Sequence, residues 1–173
     1  MSTSLTAFDY NPSSRVVFAE NALEQLGSHA SALAGPRVLL VTDPGLVEAG
    51  IAARAQRSLE SAALACVVFS QVRENPTTAE VDAGVAHARA HGPFDLIIGL
   101  GGGSAMDCAK GINFLFSCGG RMQDYQGRRT ATAPLLPSIG VPTTAGTGSE
   151  TQSFALITDA DTGMKMACGD PAA

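Results

Sequence analysis

A strand-like run that ends in three consecutive glycines constrains the fold more than any other stretch of this sequence. The run is DLIIGL at 95–100, the glycines occupy 101–103, and a helical pattern follows from Ser104 to about Phe116. Short apolar, β-branched runs are typical of strands buried on both faces of a sheet. Because glycine loses more backbone freedom on folding than any other residue, three in succession indicate a special turn or a close approach to the backbone. The stretch therefore predicts a strand–turn–helix unit.

Two other apolar runs lead into helix-start signals in the same way. RVLLVT at 37–42 precedes Asp43 and Pro44, the residue types preferred at the N-cap and the first position of a helix. LACVVFS at 64–70 leads through a turn to TTAE at 77–80, which fits a capping box. Strands of this length that alternate with helices imply βαβ units and a parallel sheet with both faces covered. We expect an α/β fold of the doubly wound class with a mostly parallel sheet.

Further strands are predicted towards both ends of the chain. SRVVFAEN at 14–21 fits a strand that is followed by a capped helix. A strand from about 135 leads into the polar loop VPTTAGTGSE at 141–150, and the runs FALITD at 154–159 and MKMAC at 164–168 fit a hairpin. The polar loop follows an apolar strand, so we expect it at the same edge of the sheet as the glycines.

The composition indicates one globular domain and excludes several classes of protein. Of the 173 residues, 45% are hydrophobic and 16% are charged, which excludes a mainly disordered chain. The net charge of −5 gives no electrostatic footprint for nucleic acid or an anionic membrane. No apolar run reaches the roughly 20 residues of a membrane-spanning helix, and the N-terminus does not fit a secretory signal. The four cysteines show no CxxC spacing, so we expect reduced thiols and a cytoplasmic protein.

The glycines and the helix after them fit an anion-binding site. Ligands of doubly wound sheets bind beyond the carboxyl ends of the strands, where helix N-termini present free N–H groups to a phosphate. The alternative is purely structural, in which Ser104 and Asp107 form a variant capping box after a tight turn. The common dinucleotide motif GxGxxG is absent after the first strand, where the sequence is TDPGL. A nucleotide at this site would therefore be bound by a different arrangement.

Two long motifs establish a resemblance to a known family. GGGSAMDCAK at 101–110 and VPTTAGTGSE at 141–150 resemble the iron-containing (group III) alcohol dehydrogenases, whose members carry GGGSxxDxAK and PTTAGTGSE in this order. The opening at 8–27 is also similar to the family's N-terminal strand pair, placed here at about 5–19. The resemblance implies that 1–173 is the NAD(P)-binding, Rossmann-like α/β domain. The family's C-terminal helical domain, with one Asp and three His as metal ligands, is then expected to be absent from this chain.

The resemblance also implies which residues hold the cofactor. Gly102, Gly103 and Ser104 match the positions that bind the pyrophosphate, and Asp43 matches the acidic residue that binds the adenine ribose. Gln152 replaces a threonine of the family motif, so an amide stands where the family has a hydroxyl. The implied cofactor-binding residues are Asp43, Asn75, Gly101, Gly102, Gly103, Ser104, Asp107, Thr143, Thr144, Thr147, Gln152, Leu156 and Lys165. Neither a catalytic residue nor a metal ligand is expected within this chain.

His87 and His91 are the pair most easily mistaken for metal ligands. They are four residues apart on a predicted helix, a spacing that can present two ligands to zinc from one face. A zinc site needs at least three protein ligands, and no third candidate is close in the sequence. We interpret both as ordinary helix residues and predict no metal site.

Asp43 also predicts the choice between two dinucleotides. An ionised carboxylate accepts hydrogen bonds from the ribose hydroxyls of NAD but repels the 2′-phosphate of NADP. No Lys or Arg occurs in DPGLVEAG at 43–50 to offset this repulsion. We therefore expect NAD, with NADP as the second choice. The alternative is that Asp43 serves only as the N-cap of the helix that begins at Pro44.

The resemblance implies an NAD(P)- and metal-dependent oxidoreductase that interconverts an alcohol and an aldehyde or ketone by hydride transfer. In the full-length enzyme Fe²⁺ or another divalent metal would polarise the substrate oxygen, and this chain alone would be inactive. Two alternatives stay open, a metal-dependent lyase similar to dehydroquinate synthase and a nucleotide-binding fragment without activity. A homodimer or larger homo-oligomer is also implied, formed through the strand region at 8–18. The substrate is expected to be a small alcohol or aldehyde.

Overall fold

The computed structural model of the chain describes residues 14–128 and 131–173. In chain order its strands are β1 (Arg37–Val41), β2 (Ala65–Phe69), β3 (Leu96–Gly101), β4 (Gly127–Arg128), β5 (Ser138–Pro142), β6 (Phe154–Thr158) and β7 (Lys165–Gly169). The α-helices are α1 (Leu26–Leu33), α2 (Pro44–Glu48), α3 (Ile51–Ser61), α4 (Thr78–His91) and α5 (Gly103–Cys118). Short 3₁₀ helices span Ala22–Gln25 and Met122–Tyr125. Within the described ranges, no helix combines the length and apolar character that a membrane crossing requires.

The central sheet has four parallel strands in the order β2-β1-β3-β5. Leu39 of β1 lies in register with Val67 on one side and Ile97 on the other, and Ile98 of β3 lies opposite Ile139. From β1 the chain passes first to β2 and then back across to β3, so the order reverses between β1 and β3. This reversal is the topological switch point at which open α/β sheets bind their ligands.

Side chains of the central strands alternate between two apolar clusters. Val38 and Leu40 face a cluster that includes the inner sides of α1 and α3, whereas Leu39 and Val41 face a cluster that includes α4 and α5. Both faces of the sheet are therefore covered by helices, which is why the strands appear in the sequence as continuous apolar runs. The predicted doubly wound, mostly parallel α/β fold is confirmed.

A second, smaller sheet packs against the α5 side of the molecule. Strands β6 and β7 form the predicted antiparallel hairpin, and β4 pairs in parallel with β7. Ala155 and Ile157 of β6 and Met166 and Cys168 of β7 are buried in the same cluster as Phe114 of α5. The two-residue strand β4 was not predicted, because so short a segment carries no readable alternation.

Two of the predicted helix starts are confirmed. The Asp43 carboxylate caps α2 by accepting a hydrogen bond from the N–H of Leu46 at 3.0 Å. Thr77 and Glu80 form a reciprocal capping box at the start of α4. The helix after the glycines begins at Gly103 with Gly102 as its N-cap, not at Ser104. The structural alternative, a capping box formed by Ser104 and Asp107, is wrong, since both side chains bond to residues elsewhere in the chain.

The predicted strand at 14–21 is also wrong. Residues 14–20 form no strand, and Val16 and Phe18 are 67% and 99% exposed. A strand needs a neighbour for its main-chain hydrogen bonds, and none of the described strands pairs with this segment. Asn21 adopts a positive φ of 55° and makes no side-chain cap. The rest of the predicted strand pair, from about residue 5, lies outside the described residues.

Candidate functional site

A pocket lies at the switch point, beyond the carboxyl ends of β1 and β3. Its volume is about 290 Å³. Asp43 follows β1, Gly102 follows β3, and the loop after β2 completes the wall; the lining residues are Asp43, Val72, Arg73, Glu74, Gly102, Ser104 and Ala105. We call this the switch-point pocket. Its position is the one at which doubly wound folds bind nucleotides.

The three glycines of the turn meet different requirements. Gly101 has a positive φ of 150°, and a Cβ there would lie 2.7 Å from the Cβ of Ala105. The fold itself therefore requires glycine at 101. A Cβ on Gly103 would meet the Cβ of Thr147 at 3.5 Å, which is ordinary van der Waals contact, and one on Gly102 would lie 3.3 Å from Thr144 Oγ1. The protein's own packing thus leaves Gly103 without a structural reason to be glycine.

The N-terminus of α5 opens at this turn. The N–H groups of Ala105 and Met106 both donate to the carbonyl of Gly102, whereas N–H groups at the very start of a helix have no partner within it. Free N–H groups and the positive end of the helix dipole favour an anion here. The absence of a Cβ on Gly102 and Gly103 leaves the backbone accessible to such an anion.

The loop after β2 is tied to this turn by Asn75. Its N–H donates to Ser104 Oγ at 3.1 Å, and its Oδ1 lies 3.5 Å from Lys165 Nζ of β7. Asn75 adopts a positive φ of 52°, a conformation that asparagine tolerates better than most residues. These contacts join three segments that are far apart in the sequence.

Beneath the turn, three side chains connect α5 to the polar loop, and we call them the inner clamp. Ser149 is 1% exposed and donates a short hydrogen bond to the carboxylate of Asp107, which is 6% exposed. The ammonium of half-buried Lys110 donates to the carbonyls of Ser149, Gln152 and Phe154 at 2.7, 2.5 and 3.1 Å. Asp107 also accepts a hydrogen bond from the backbone of Leu156. The clamp therefore fixes residues 149–156 against the helix.

Burial perturbs the two charged groups of the inner clamp in opposite directions. Desolvation raises the pKa of Asp107, opposed by the Ser149 hydrogen bond and the charge of Lys110. Desolvation lowers the pKa of Lys110, opposed by the charges of Asp107 and Glu150. Each shift disfavours the charged form, as expected for groups withdrawn from water. The opposite charges and the hydrogen bonds offset that cost.

The threonine-rich loop lies against the glycines. The N–H of Thr143 donates to the carbonyl of Gly101 at 2.9 Å, and Thr144 and Thr147 face the positions that a Cβ on Gly102 or Gly103 would occupy. Thr147 Oγ1 donates to Glu150. The Gln152 amide lies 3.5 Å from Ser149 Oγ, so it is directed at the inner clamp.

Of the residues predicted to hold the cofactor, Asp43, Gly102 and Ser104 line the switch-point pocket. Asn75 and Lys165 are linked to the pocket through Ser104, whereas Asp107, Gln152 and Leu156 take part in the contacts of the inner clamp. Gly101, Gly103 and the three threonines surround the glycine turn. Reasoning from the sequence missed Arg73, Glu74, Lys110 and Ser149. Lys110 lies in the motif GGGSAMDCAK and Ser149 in VPTTAGTGSE, so the motifs themselves could have indicated that both residues belong to the site. Arg73 carried no signal of its own, because its place in the same pocket as Asp43 depends on the parallel pairing of β1 with β2.

Neither His87 nor His91 of α4 lines the switch-point pocket, and His87 packs against Phe69 of β2 with ring centroids 5.6 Å apart. The ring centroids of His87 and His91 are 4.3 Å apart, and His91 Nδ1 bonds to the carbonyl of His87 at 2.8 Å. Among the residues that the structure describes, no group of three or more His, Cys, Asp or Glu could hold a metal ion.

Comparison with known proteins assigns the chain to a family. The profile of the iron-containing alcohol dehydrogenases matches residues 12–173, so the chain belongs to this family. The NAD-dependent methanol dehydrogenase of Bacillus methanolicus is 33% identical over 94% of this chain and 42% of its own length. A solved 1,3-propanediol oxidoreductase matches with a TM-score of 0.83 and 35% identity over 88% of this chain and 40% of that one.

A further solved relative contains the dinucleotide. Sulfoacetaldehyde reductase from Bifidobacterium kashiwanohense, in complex with NAD⁺, matches with a TM-score of 0.77 and 27% identity over 95% of this chain and 43% of that one. The chain therefore spans less than half the length of the relatives it matches. The predicted membership of the iron-containing alcohol dehydrogenases is confirmed.

Proposed function

We propose that these residues are the NAD(P)-binding part of a metal-dependent dehydrogenase that interconverts an alcohol and an aldehyde or ketone. The observation that carries the proposal is the open N-terminus of α5, where Gly103 is glycine although a Cβ would fit the fold. A glycine that the protein's own packing does not require is explained by a ligand that approaches the backbone. The positive helix end makes a phosphate the fitting ligand.

The proposed cofactor site runs along this edge of the sheet. Gly102, Gly103 and Ser104 would hold the pyrophosphate with their backbone N–H groups, with the hydroxyls of Thr144 and Thr147 beside them. Asp43 and Asn75, at the switch-point pocket, are assigned to the adenosine end. Leu156 and Lys165 are assigned to the nicotinamide end. Bound there, the nicotinamide ring would supply the acceptor or donor of a hydride.

Asp107 receives a positioning role in this proposal. Its carboxylate is buried against Ser149 and Leu156, so it orients the polar loop and the start of β6. Gln152 belongs to the same group, because its carbonyl accepts from Lys110 and its amide is directed at Ser149. Gly101 supplies the sharp turn, and Thr143 secures it through the Gly101 carbonyl. These residues shape the site without needing to touch the cofactor.

We assign the divalent metal, Fe²⁺ or another, to a part of the protein outside these 173 residues. The family is named for its iron, and the matched relatives are more than twice as long as the region they share with this chain. A metal at the substrate oxygen would lower the pKa of an alcohol and polarise a carbonyl. The 173 residues alone are then expected to bind the dinucleotide without turning over an alcohol.

We also propose that the protein forms a homo-oligomer and is located in the cytoplasm. Val16 and Phe18 expose large apolar side chains, which a second copy could cover through the segment at 8–18. Deletion of residues 1–18 should then yield a monomer in sedimentation analysis, and an unchanged oligomer would contradict the assignment. The four free cysteines among the described residues agree with a reducing compartment.

Two measurements test the proposed activity. Calorimetry with NAD on the 173-residue chain should detect one binding site, and the absence of binding would overturn the cofactor assignment. Full-length protein supplied with Fe²⁺ and a panel of alcohols should accumulate NADH, measured by its absorbance. Net NADH also distinguishes a dehydrogenase from a lyase of the dehydroquinate synthase type, which regenerates its NAD in every cycle. No turnover with any alcohol, aldehyde or hydroxy acid would refute the oxidoreductase.

A further inference from the structure

The switch-point pocket brings opposite charges together from two different crossovers. Asp43 follows β1, and Arg73 and Glu74 follow β2. In the sequence Arg73 is 30 residues after Asp43, but β1 and β2 are parallel neighbours, so the loops after both strands meet at one edge. A cation is thus present where the residues directly after Asp43 supply none.

Only one oxygen of Asp43 is engaged in capping. Oδ1 accepts from the N–H of Leu46 at 3.0 Å. Oδ2 lies 3.2 Å from the position that a Cβ of Gly101 would take, so it faces the glycine turn and the pocket. This second oxygen is available to a ribose hydroxyl, and it would repel a phosphate at the same place. Asp43 can therefore cap α2 and select against a 2′-phosphate at once.

Arg73 is held only weakly in its present position. Its Nε lies 3.9 Å from Glu80 Oε1, and its side chain is 84% exposed. The other oxygen of Glu80 already accepts from the N–H and the hydroxyl of Thr77 in the capping box. An exposed ion pair at this distance contributes little to stability. Redirecting the guanidinium into the pocket therefore costs little.

We propose that Arg73 is a specificity-determining residue of the dinucleotide site, which binds the 2′-phosphate of NADP and reduces the preference for NAD that Asp43 imposes. The guanidinium offers paired N–H donors that match phosphate oxygens, and an Arg beside the adenine ribose is the usual means of accommodating this group. Glu74 also lines this pocket, and its negative charge acts in the opposite direction. This inference rests on the proposed cofactor site.

The decisive measurement is the ratio of the dissociation constants for NADPH and NADH, obtained by nicotinamide fluorescence on the 173-residue chain. Arg73→Gln should weaken NADPH about tenfold, the loss of one charge-assisted contact, and leave NADH within about twofold. The NADPH affinity of Arg73→Lys should lie between that of the unmodified chain and that of Arg73→Gln. Glu74→Gln should tighten NADPH by a few fold, since it removes a like charge. Arg57→Gln, the same change on an exposed position of α3 outside the pocket, is the matched control and should alter neither constant.

A second probe isolates the 2′-phosphate from the rest of the dinucleotide. Adenosine 2′,5′-bisphosphate and AMP should compete with NADH, and Arg73→Gln should weaken only the first. An unchanged ratio of NADPH to NADH affinity in Arg73→Gln, or an equal loss of both, would overturn the assignment of Arg73. If the unmodified chain binds neither dinucleotide, the proposed cofactor site itself fails. The two failures are therefore distinguishable.

Discussion

The inner clamp and the switch-point pocket lie at the same edge of the sheet, and each combines an acidic with a basic side chain. In the clamp, Asp107 is buried and Lys110 donates to three carbonyls. In the pocket, Arg73 is 84% exposed and its one described ion pair is long. The charged groups of the clamp are buried in contacts that hold the fold together, whereas the guanidinium of Arg73 is exposed and available to a ligand. Substitutions in the clamp should therefore change stability, and those in the pocket should change binding.

The largest effect is expected from Lys110→Met. The change removes the donor of three hydrogen bonds and the compensating charge that Lys110 provides to Asp107. We expect a loss of about 3 kcal/mol in the free energy of unfolding, because carbonyl groups lose a charged donor and a buried carboxylate loses its counter-charge. Urea denaturation measures it. Arg57→Met, which replaces an exposed cation of α3 outside the clamp and the pocket, is the control and should cost less than about 0.5 kcal/mol. Equal losses in the two variants would contradict the distinction between clamp and surface.

The next effect, on binding alone, is expected from Gly103→Ala. A Cβ at this position fits the fold, and alanine is a better helix former than glycine, so the melting temperature should hold or rise slightly. The same Cβ would occupy the space through which a phosphate reaches the backbone. We expect the affinity for NAD to fall at least tenfold, or about 1.4 kcal/mol, measured by calorimetry. Undiminished NAD binding in a well-folded variant would show that Gly103 is not part of the cradle.

Particular residues also show what the sequence could and could not predict. Asp43 and the Thr77–Glu80 box were predicted correctly, because a cap depends on residues a few positions apart. The two central parallel strands, β1 and β3, were equally readable, since burial on both faces makes them apolar almost throughout. The helix start at Ser104 was not predicted correctly: α5 begins at Gly103, and the Ser104 hydroxyl accepts a hydrogen bond from the N–H of Asn75, 29 residues earlier.

Contacts between distant segments account for the other misses. The partners of Lys110 are the carbonyls of residues 149–154, some 40 positions later. Arg73 and Asp43 line the same pocket only because β1 and β2 pair in parallel. The segment at 14–21 contains a short apolar run typical of a strand, but none of the described strands offers it a neighbour. Sequence patterns therefore predict interactions between residues that are close in the chain, whereas contacts between distant segments depend on the topology of the sheet.

The pH dependence of stability should also separate the two regions. Because burial raises the pKa of Asp107 in the folded state, the folded protein binds a proton at a higher pH than the unfolded chain does. Stability therefore rises as the pH falls through the folded pKa towards the unfolded value near 3.8. Asp107→Asn lacks this contribution, so the free energy of unfolding of the unmodified protein, measured relative to this variant, should increase as the pH is lowered from neutral towards 3.8. A difference that stays constant with pH would mean that the carboxylate is not desolvated.

The smallest effect on stability, with a clear effect on selectivity, is expected from Asp43→Gly. Replacing an N-cap carboxylate by glycine costs a few tenths of a kcal/mol, because glycine is itself tolerated at the N-cap. The substitution also removes the negative charge that faces the proposed ribose site, so the affinity for NADPH relative to NADH should rise by several fold. Arg73→Gln should move the same ratio in the opposite direction, and the double variant should lie between the two single ones. Parallel titrations of NADH and NADPH, with urea denaturation of each variant, measure both effects. If Asp43→Gly loses stability but leaves the ratio unchanged, then Asp43 is only the cap of α2, and the pocket does not discriminate between the two dinucleotides through this residue.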